Sequence, residues 1–319
     1  MSGELRFDRL TGEWISIVGH RQARPNLPDG ACPFCVGGVE APAAYTVRAF
    51  ENRWPAYTAG APVDVAPPTF DATGDDGPFT SRPARGAAEV VLYSPDHGGS
   101  LATIGVAAVR TVVNCWAERT AELLARPEIA SVLVFENRGA EVGATIDHPH
   151  GQIYAFPFVP PAERTEDRAC GELPGGFADL VAAEIEADAR IVATRGDWVA
   201  WVPFASPVPY GLLVAPRTAV PGLPELAAPG RDDLAALLAD VVTRYDGLFD
   251  RTFPYLMWIH QAPSAELRTG LEHLHVHFVP PWRAEGVWRH LAAGELGSGT
   301  LSNPVSPETA AAALRDVAR

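Results

Sequence analysis

The chain runs through one order of elements twice, and each pass ends on a histidine-rich strand that leads into proline. In the first half, Thr11 to Val18 alternates around Trp14 and Ile15, and Glu89 to Tyr93 is an apolar strand. Helical spacing of Val106, Val109, Val113 and Trp116, with Val112 and Cys115 beside that stripe, predicts a helix from Ile104 to Leu124. Strands are expected at Val132–Phe135 and Ile153–Phe158. In the second half, a helix from Phe177 to about Arg190 precedes strands at Trp198–Pro203 and Gly211–Pro216. A long helix, Asp232–Phe249, carries Leu234, Leu237, Leu238, Val241, Val242 and Tyr245 as its apolar stripe. Strands at Tyr255–His260 and Leu274–Val279 complete it. This repetition predicts an α+β fold of two copies of one unit, residues 1–160 and 161–319, with mostly antiparallel sheets and flanking helices.

Composition narrows what such a fold can do. A formal net charge of −14 argues against nucleic acid and anionic membrane as partners, because phosphate backbones would repel the chain. No apolar run of membrane-spanning length is present, and Met1–Arg6 lacks the apolar core of a signal peptide, so a cytoplasmic location is expected. Four cysteines in 319 residues do not make a disulfide scaffold. Proline and glycine crowd the stretch from Arg21 to about Arg85, whose acidic part, Phe70 to Pro78, reads as a mobile surface loop.

The densest chemistry lies in Asp147-His148-Pro149-His150-Gly151-Gln152. Residues two apart in an extended segment share a face, so His148 and His150 can converge on one site. One imidazole can hold a metal or orient the other, leaving that one to attack phosphorus. Gly151 permits close approach of a phosphate to the backbone, and the Gln152 amide can donate to its oxygens.

Two further groups have the character of metal sites. Cys32-Pro33-Phe34-Cys35 has the spacing of a zinc knuckle. A redox Cys-x-x-Cys would favour a strand-to-helix junction, whereas this pair sits in a Pro/Gly-rich loop. Two more ligands are needed, and His97 and His148 are the best candidates. The second group is His275 and His277, with His273 in the same register and His260 on the preceding strand. Glu163 or Glu166 can complete a four-ligand set; spacing alone does not choose between these carboxylates, or between His273 and His277.

Taken together, these segments resemble the galactose-1-phosphate uridylyltransferase family of the histidine-triad superfamily. The resemblance is carried by Leu10–Ile15, Cys32–Cys35, Ser94-Pro95-Asp96-His97, Phe135-Glu136-Asn137-Arg138-Gly139, His148–Ile153, and His275–Phe278 with Pro280-Pro281. It implies a histidine-triad-like unit in each half and a zinc site at Cys32, Cys35, His97 and His148. It also implies a second site, for zinc or iron, at Glu166, His260, His275 and His277, leaving His273 outside. His150 would be the nucleophile and Gln152 the phosphate-binding glutamine. Phe50 and Asn52 would line the nucleoside pocket, and Asn137, Gly143 and Thr145 the phosphate path. Arg21 and Arg24 would reach a nucleotide-sugar phosphate across the interface of a homodimer.

The chain departs from the family pattern in two places. Ile146 and Asp147 replace small polar residues before the motif, which puts an anion close to a diphosphate path. After Pro281 the family's lysine, tyrosine and glutamine for the sugar phosphate are missing; Arg289 is the candidate substitute, and Gly297-Ser298-Gly299-Thr300 reads as a phosphate loop or a linker.

The activity this implies is exchange of UMP between a UDP-hexose and a sugar 1-phosphate through a covalent nucleotidyl-histidine. Competing readings are an adenylyl- or guanylyltransferase, a nucleotide-sugar phosphorylase, a nucleotide-sugar hydrolase, and a metal-stabilised binding protein without catalysis.

Overall fold

The computed structural model describes residues 3–23, 31–59, 77–270 and 272–317. Arg24 and most of the loop expected from Phe70 to Pro78 lie outside them. The first half contains β1 (Glu4–Asp8), β2 (Glu13–Ile17), β3 (Arg48–Glu51), β4 (Ser81–Pro83), β5 (Ala87–Leu92), α1 (Val106–Leu124), β6 (Ser131–Arg138) and β7 (His150–Phe156). The second contains α2 (Pro161–Cys170), α3 (Phe177–Ala187), β8 (Ile191–Arg195), β9 (Trp198–Trp201), β10 (Leu212–Pro216), α4 (Ala228–Leu248), β11 (Tyr255–His260) and β12 (His275–Val279). Two short strands, β13 (Trp282–Ala284) and β14 (Val287–Trp288), and helices α5 (Ala293–Ser298) and α6 (Pro307–Arg315) follow.

The fold is α+β with antiparallel strand pairing in its sheets, as the repetition predicts. A nine-stranded sheet runs β3-β5-β7-β6-β11-β12-β10-β9-β8. Read outward from the β6/β11 seam, the order is the same on both sides: β7 answers β12, β5 answers β10, and β3 answers β9. The seam register agrees with a two-fold relation. Phe135 and Trp258 pair across it, Phe135 also pairs Gln152 on β7, and Trp258 also pairs His277 on β12. Gln152 and His277 are therefore counterparts, as are His150 and His275. Both halves share this one sheet. Strands β2, β1 and β4 form a separate small sheet.

Alternation along the central strands sorts their side chains by face. Ile153 and Ala155 of β7, Val276 and Phe278 of β12, and Tyr255, Met257 and Ile259 of β11 enter one apolar core with α1 and α4. Those helices bury most of the expected stripes, including Val109, Val113 and Trp116 in α1 and Leu234, Leu238 and Tyr245 in α4, whereas Val106, in the first turn of α1, is exposed. His150, Gln152, His260, His275 and His277 occupy the opposite register positions, so the helices back the sheet while its other face carries the histidines.

Several boundaries differ from the sequence reading. β7 starts at His150, not Ile153, because His150, Gly151 and Gln152 pair with Leu92, Val91 and Val90 of β5. α4 starts at Ala228, with proline in its first turn, where the missing N–H costs nothing. The expected helix to Arg190 ends at Ala187 so that β8 can begin at Ile191. Gly297 and Ser298 end α5, Gly299 at φ +72 is its left-handed cap and Thr300 follows it, so Gly297-Ser298-Gly299-Thr300 is a helix C-terminus. Carbonyls, not N–H groups, face outward at such an end, and they disfavour a phosphate. Among the described residues no helix is long and apolar enough to cross a membrane.

Candidate active site and metal centres

The turn entering β7 brings the Cys32–Cys35 knuckle, the His150 strand and a pocket together. Ligand atoms of Cys32, Cys35, His97 and His148 all lie within 4.8 Å of one another. His148 Nδ1 is 3.9 Å from Cys32 Sγ and 3.7 Å from Cys35 Sγ, and His97 Nδ1 is 3.5 Å from Cys35 Sγ. Tetrahedral zinc with its usual bond lengths would set sulfur and nitrogen ligands about 3.6 Å apart, so the donor set fits a metal of that kind. Burial and the neighbouring Cys32 sulfur raise the Cys35 thiol pKa; a dication at the centre would reverse that preference.

His148 is buried and held from behind. Its Nε2 is 2.7 Å from the Ser94 carbonyl oxygen, which accepts the ring proton and turns Nδ1 toward the sulfurs. Tyr45 Oη lies 2.8 Å from the same nitrogen and reaches the carbonyls of Phe34 and Ser94. Burial, then the two nearby sulfurs, push the tyrosine up to about 12, so it remains a hydroxyl.

His150 Nδ1 is 2.7 Å from the His148 carbonyl oxygen. A carbonyl can only accept, so the ring proton sits on Nδ1 and the lone pair on Nε2. The His148 carbonyl, not that of Pro149, thus holds this ring. Pro149 O accepts instead from Tyr93 N, at 3.0 Å. Phe34, inside the knuckle, meets the His150 ring edge-on at 5.1 Å between centroids.

A pocket of about 290 Å³ opens beside His150 and Gln152. Phe50, Asn52 and Thr145, all named from the sequence, line it. So do Phe34, Glu40, Arg53, Trp54 and Ile146, which the sequence reading did not name as site residues. Phe34 had a signal, its place between the two knuckle cysteines; Trp54 follows Asn52 by two residues and could have been found the same way. Asn137 is two residues beyond Phe135 on β6 and shares its face; its amide donates to Val142 O at 3.3 Å, tying down the turn that ends at Gly143. Asp147 is exposed. Arg21 donates to Tyr154 Oη at 3.2 Å, on the same face of β7 as His150 and Gln152. Arg289 is tied into the C-terminal segment by Glu295 and by the Ser302 carbonyl.

The second centre gathers Glu166, His260, His275 and His277. Glu166 Oε2 is 2.5 Å from His260 Nδ1 and 3.2 Å from His275 Nε2, and Oε1 is 3.5 Å from His277 Nε2. Burial works to raise the Glu166 carboxyl, but His260 and His275 outweigh it and hold it well below the usual range. His277 Nε2 is buried with no hydrogen-bond partner among the described residues, which suits a ring nitrogen waiting for a metal. Of the alternatives that spacing left open, Glu166 and His277 join this cluster, while Glu163 and His273 do not. Glu163 turns away to accept from Ser131 Oγ at 2.7 Å, and His273 directs Nε2 to Pro216 O at 2.8 Å.

Family models for the N-terminal domain and the C-terminal domain of galactose-1-phosphate uridyl transferase match residues 2–160 and 175–319. The chain belongs to that family. It is 36% identical to the galactose-1-phosphate uridylyltransferase of Thermotoga maritima, over 98% of each chain. Against the enzyme of that name from Rattus norvegicus it is 32% identical, covering 98% of this chain and 86% of the relative. A solved structure described as uridylyltransferase superimposes with a TM-score of 0.85 at 30% identity, over 98% of each chain. The ADP-glucose phosphorylase of Arabidopsis thaliana shares the fold, with a TM-score of 0.74 at 24% identity over the whole of both chains.

Proposed function

We propose that this chain is a uridylyltransferase exchanging UMP between UDP-hexose and galactose 1-phosphate, with His150 as the nucleophile. The observation that carries this is the clamp on His150: the proton on Nδ1 is spoken for by the His148 carbonyl, so Nε2 has the lone pair. In the first half-reaction a bond forms from Nε2 to the α-phosphorus, and the bond to the bridging oxygen breaks. Hexose 1-phosphate leaves with that oxygen and its electrons. In the second, a phosphate oxygen of the incoming sugar 1-phosphate attacks the same phosphorus, and His150 leaves with its lone pair restored. The Gln152 amide and nearby backbone N–H groups would stabilise charge on the phosphoryl oxygens.

The reading assigns zinc to the four-ligand centre of the first half, where it would be structural: it would fix the knuckle, and with it Phe34, against the His150 strand. Zinc or iron would fill the second centre. Residues 1–160 and 161–319 are read as two histidine-triad-like domains. A homodimer is part of the same reading, with Arg21 and Arg24 serving the partner's site, and so is Arg289 as a contact to the sugar phosphate.

Incubation with radiolabelled UDP-glucose, ADP-glucose and GDP-mannose, followed by intact-protein mass spectrometry, tests it. A UMP adduct that His150→Asn abolishes, and that galactose 1-phosphate discharges, is the expected result. Labelling from a different base would move the assignment to an adenylyl- or guanylyltransferase. Discharge by inorganic phosphate would indicate a phosphorylase, and discharge by water a hydrolase. No adduct from any donor would overturn covalent catalysis here.

A further inference from the structure

We infer that Asn52 is a positioning residue for Gln152: it fixes which end of the Gln152 amide meets the phosphate. This rests on the nucleotidyl-transfer reading above and deepens it.

Donors and acceptors around Asn52 form a chain with one solution. Trp54 N–H, a backbone group that can only donate, lies 2.9 Å from the side-chain oxygen of Asn52. Its partner atom must therefore be Oδ1, which leaves Nδ2 as the other corner of the Asn52 amide. That nitrogen can only donate, and it points at Gln152 from 3.3 Å. Gln152 must meet it with Oε1. The remaining corner of the Gln152 amide, the Nε2 donor pair, is then left for the cavity that Gln152 lines together with His150. Oxygen and nitrogen of an amide are nearly alike in shape, so a network of this kind is what distinguishes them.

Asn52 is well placed to hold that choice. It is 9% exposed, and its own N–H donates to Ala88 O at 2.8 Å, immediately after β3. The row Phe50, Val90 and Gln152 crosses β3, β5 and β7 in register, so Asn52 comes from a neighbouring, rigid part of the same sheet. Without the anchor, the terminal torsion of glutamine has two broad and nearly equivalent wells. In one of them a carbonyl oxygen would face an anionic phosphate.

This predicts an unusual order of severity. Asn52→Asp keeps an oxygen for Trp54 N–H but cannot donate. It would accept from Gln152 Nε2, turn the amide over and aim Oε1 at the phosphate. Asn52→Ala only frees the amide. The closer isostere should thus be the worse variant. An asparagine that contacted the nucleoside directly would give the opposite order, since aspartate still accepts from ribose hydroxyls.

The experiment measures the single-turnover labelling rate of His150 and the binding of UMP and of uridine. It uses wild type, Asn52→Asp, Asn52→Ala, Gln152→Ala and the Asn52→Asp/Gln152→Ala double variant, with the nucleotide sugar that labels wild type, beginning with UDP-glucose. Loss of a preorganised donor lowers such rates by about 100-fold, which is the loss expected for Asn52→Asp, with a smaller one for Asn52→Ala. In the Gln152→Ala background Asn52→Asp should change the rate less than about threefold, because no amide is left to turn. UMP binding should weaken while uridine binding holds. Gln152→Glu, which presents an oxygen while leaving Asn52 intact, should reproduce the Asn52→Asp loss even if Asn52→Asp folds poorly. Equal losses for uridine and UMP, additive losses in the double variant, or Asn52→Ala worse than Asn52→Asp would each overturn the inference. If wild type is never labelled, the transfer reading fails instead, and the comparison of UMP with uridine still decides the role of Asn52.

Discussion

His150 and His275 hold the same place in the two halves. Each opens its strand, and each sets Nδ1 2.7 Å from the carbonyl oxygen of the histidine two residues before it. What differs is the surroundings: His150 lines the pocket together with Gln152, whereas His275 Nε2 faces Glu166 at 3.2 Å, with His277 in the place of the glutamine. One backbone device is thus used twice, and on the proposed function it would serve a nucleophile in one half and a metal ligand in the other.

Substitution should separate the two roles. His150→Asn removes the attacking nitrogen and should abolish adduct formation, leaving the metal content and melting temperature close to wild type. His275→Asn should do the reverse: metal bound at the second centre falls, while labelling of His150 persists. Elemental analysis alongside mass spectrometry checks both. Persistent labelling of the His150→Asn protein would remove that residue from the chemistry.

Cys32→Ser should release the metal of the first centre, because a hydroxyl does not ionise to replace a thiolate. The knuckle then loses its hold on His97 and His148. A fall in melting temperature of roughly 5–10 °C is expected, taking a few kcal/mol at about 2–3 °C each for a chain of this size. The single-turnover rate at low temperature should change less. Full metal retention in this variant would refute the ligand assignment.

Much of this architecture could be read from spacing alone, and the failures have physical reasons. Helices α1 and α4 were visible because each buries a continuous apolar stripe. The start of β7 was not, since histidine, glycine and glutamine do not look like strand residues although all three sit in the β5 ladder. Strands β1, β3 and β4 are short, and β4 finds its partner β1 more than 70 residues away in the chain. Glu163 and Glu166 are three residues apart on α2; only the packed helix shows that Ser131 captures one and the histidines the other. Arg53 and Glu40 form an ion pair at 2.8 Å in the pocket wall, a contact that no local pattern announces.

Gly151 is fixed by close packing. A β-carbon built there would lie 2.1 Å from Tyr93 Oη and 2.9 Å from Phe135 O, distances no side chain tolerates. Gly151→Ala should therefore destabilise the fold by about 1–3 kcal/mol and displace His150, lowering the labelling rate too. Tyr93→Phe removes the nearest atom, so the double variant should recover part of both losses relative to Gly151→Ala alone. Denaturant titration of the four proteins measures the coupling. Strict additivity would mean that Tyr93 is not what excludes the methyl group.

Beneath the same strand pair, Glu136 is fully enclosed, and Tyr255 Oη donates to it at 3.0 Å. Burial, only partly offset by Arg138 and the tyrosine hydroxyls, raises its carboxyl to about 7; the Arg138 charge is largely taken up by Asp246, 2.8 Å away. The folded protein thus keeps a proton that the unfolded chain, near 4.5, gives up. Stability falls with pH wherever the folded state binds more protons. The contribution from this carboxyl is present in full below pH of about 4.5 and drains away as pH climbs to about 7, with a slope of up to about 1.4 kcal/mol per pH unit. Glu136→Gln has no proton to exchange, so the stability of wild type minus that of the variant should shrink across that window and level off above it. Urea unfolding of both proteins at intervals from about pH 4.5 to 8 tests this, other titrating groups cancelling in the difference. A gap that stays constant, or that widens with pH, would mean that Glu136 is ionised in the folded protein and paired with Arg138.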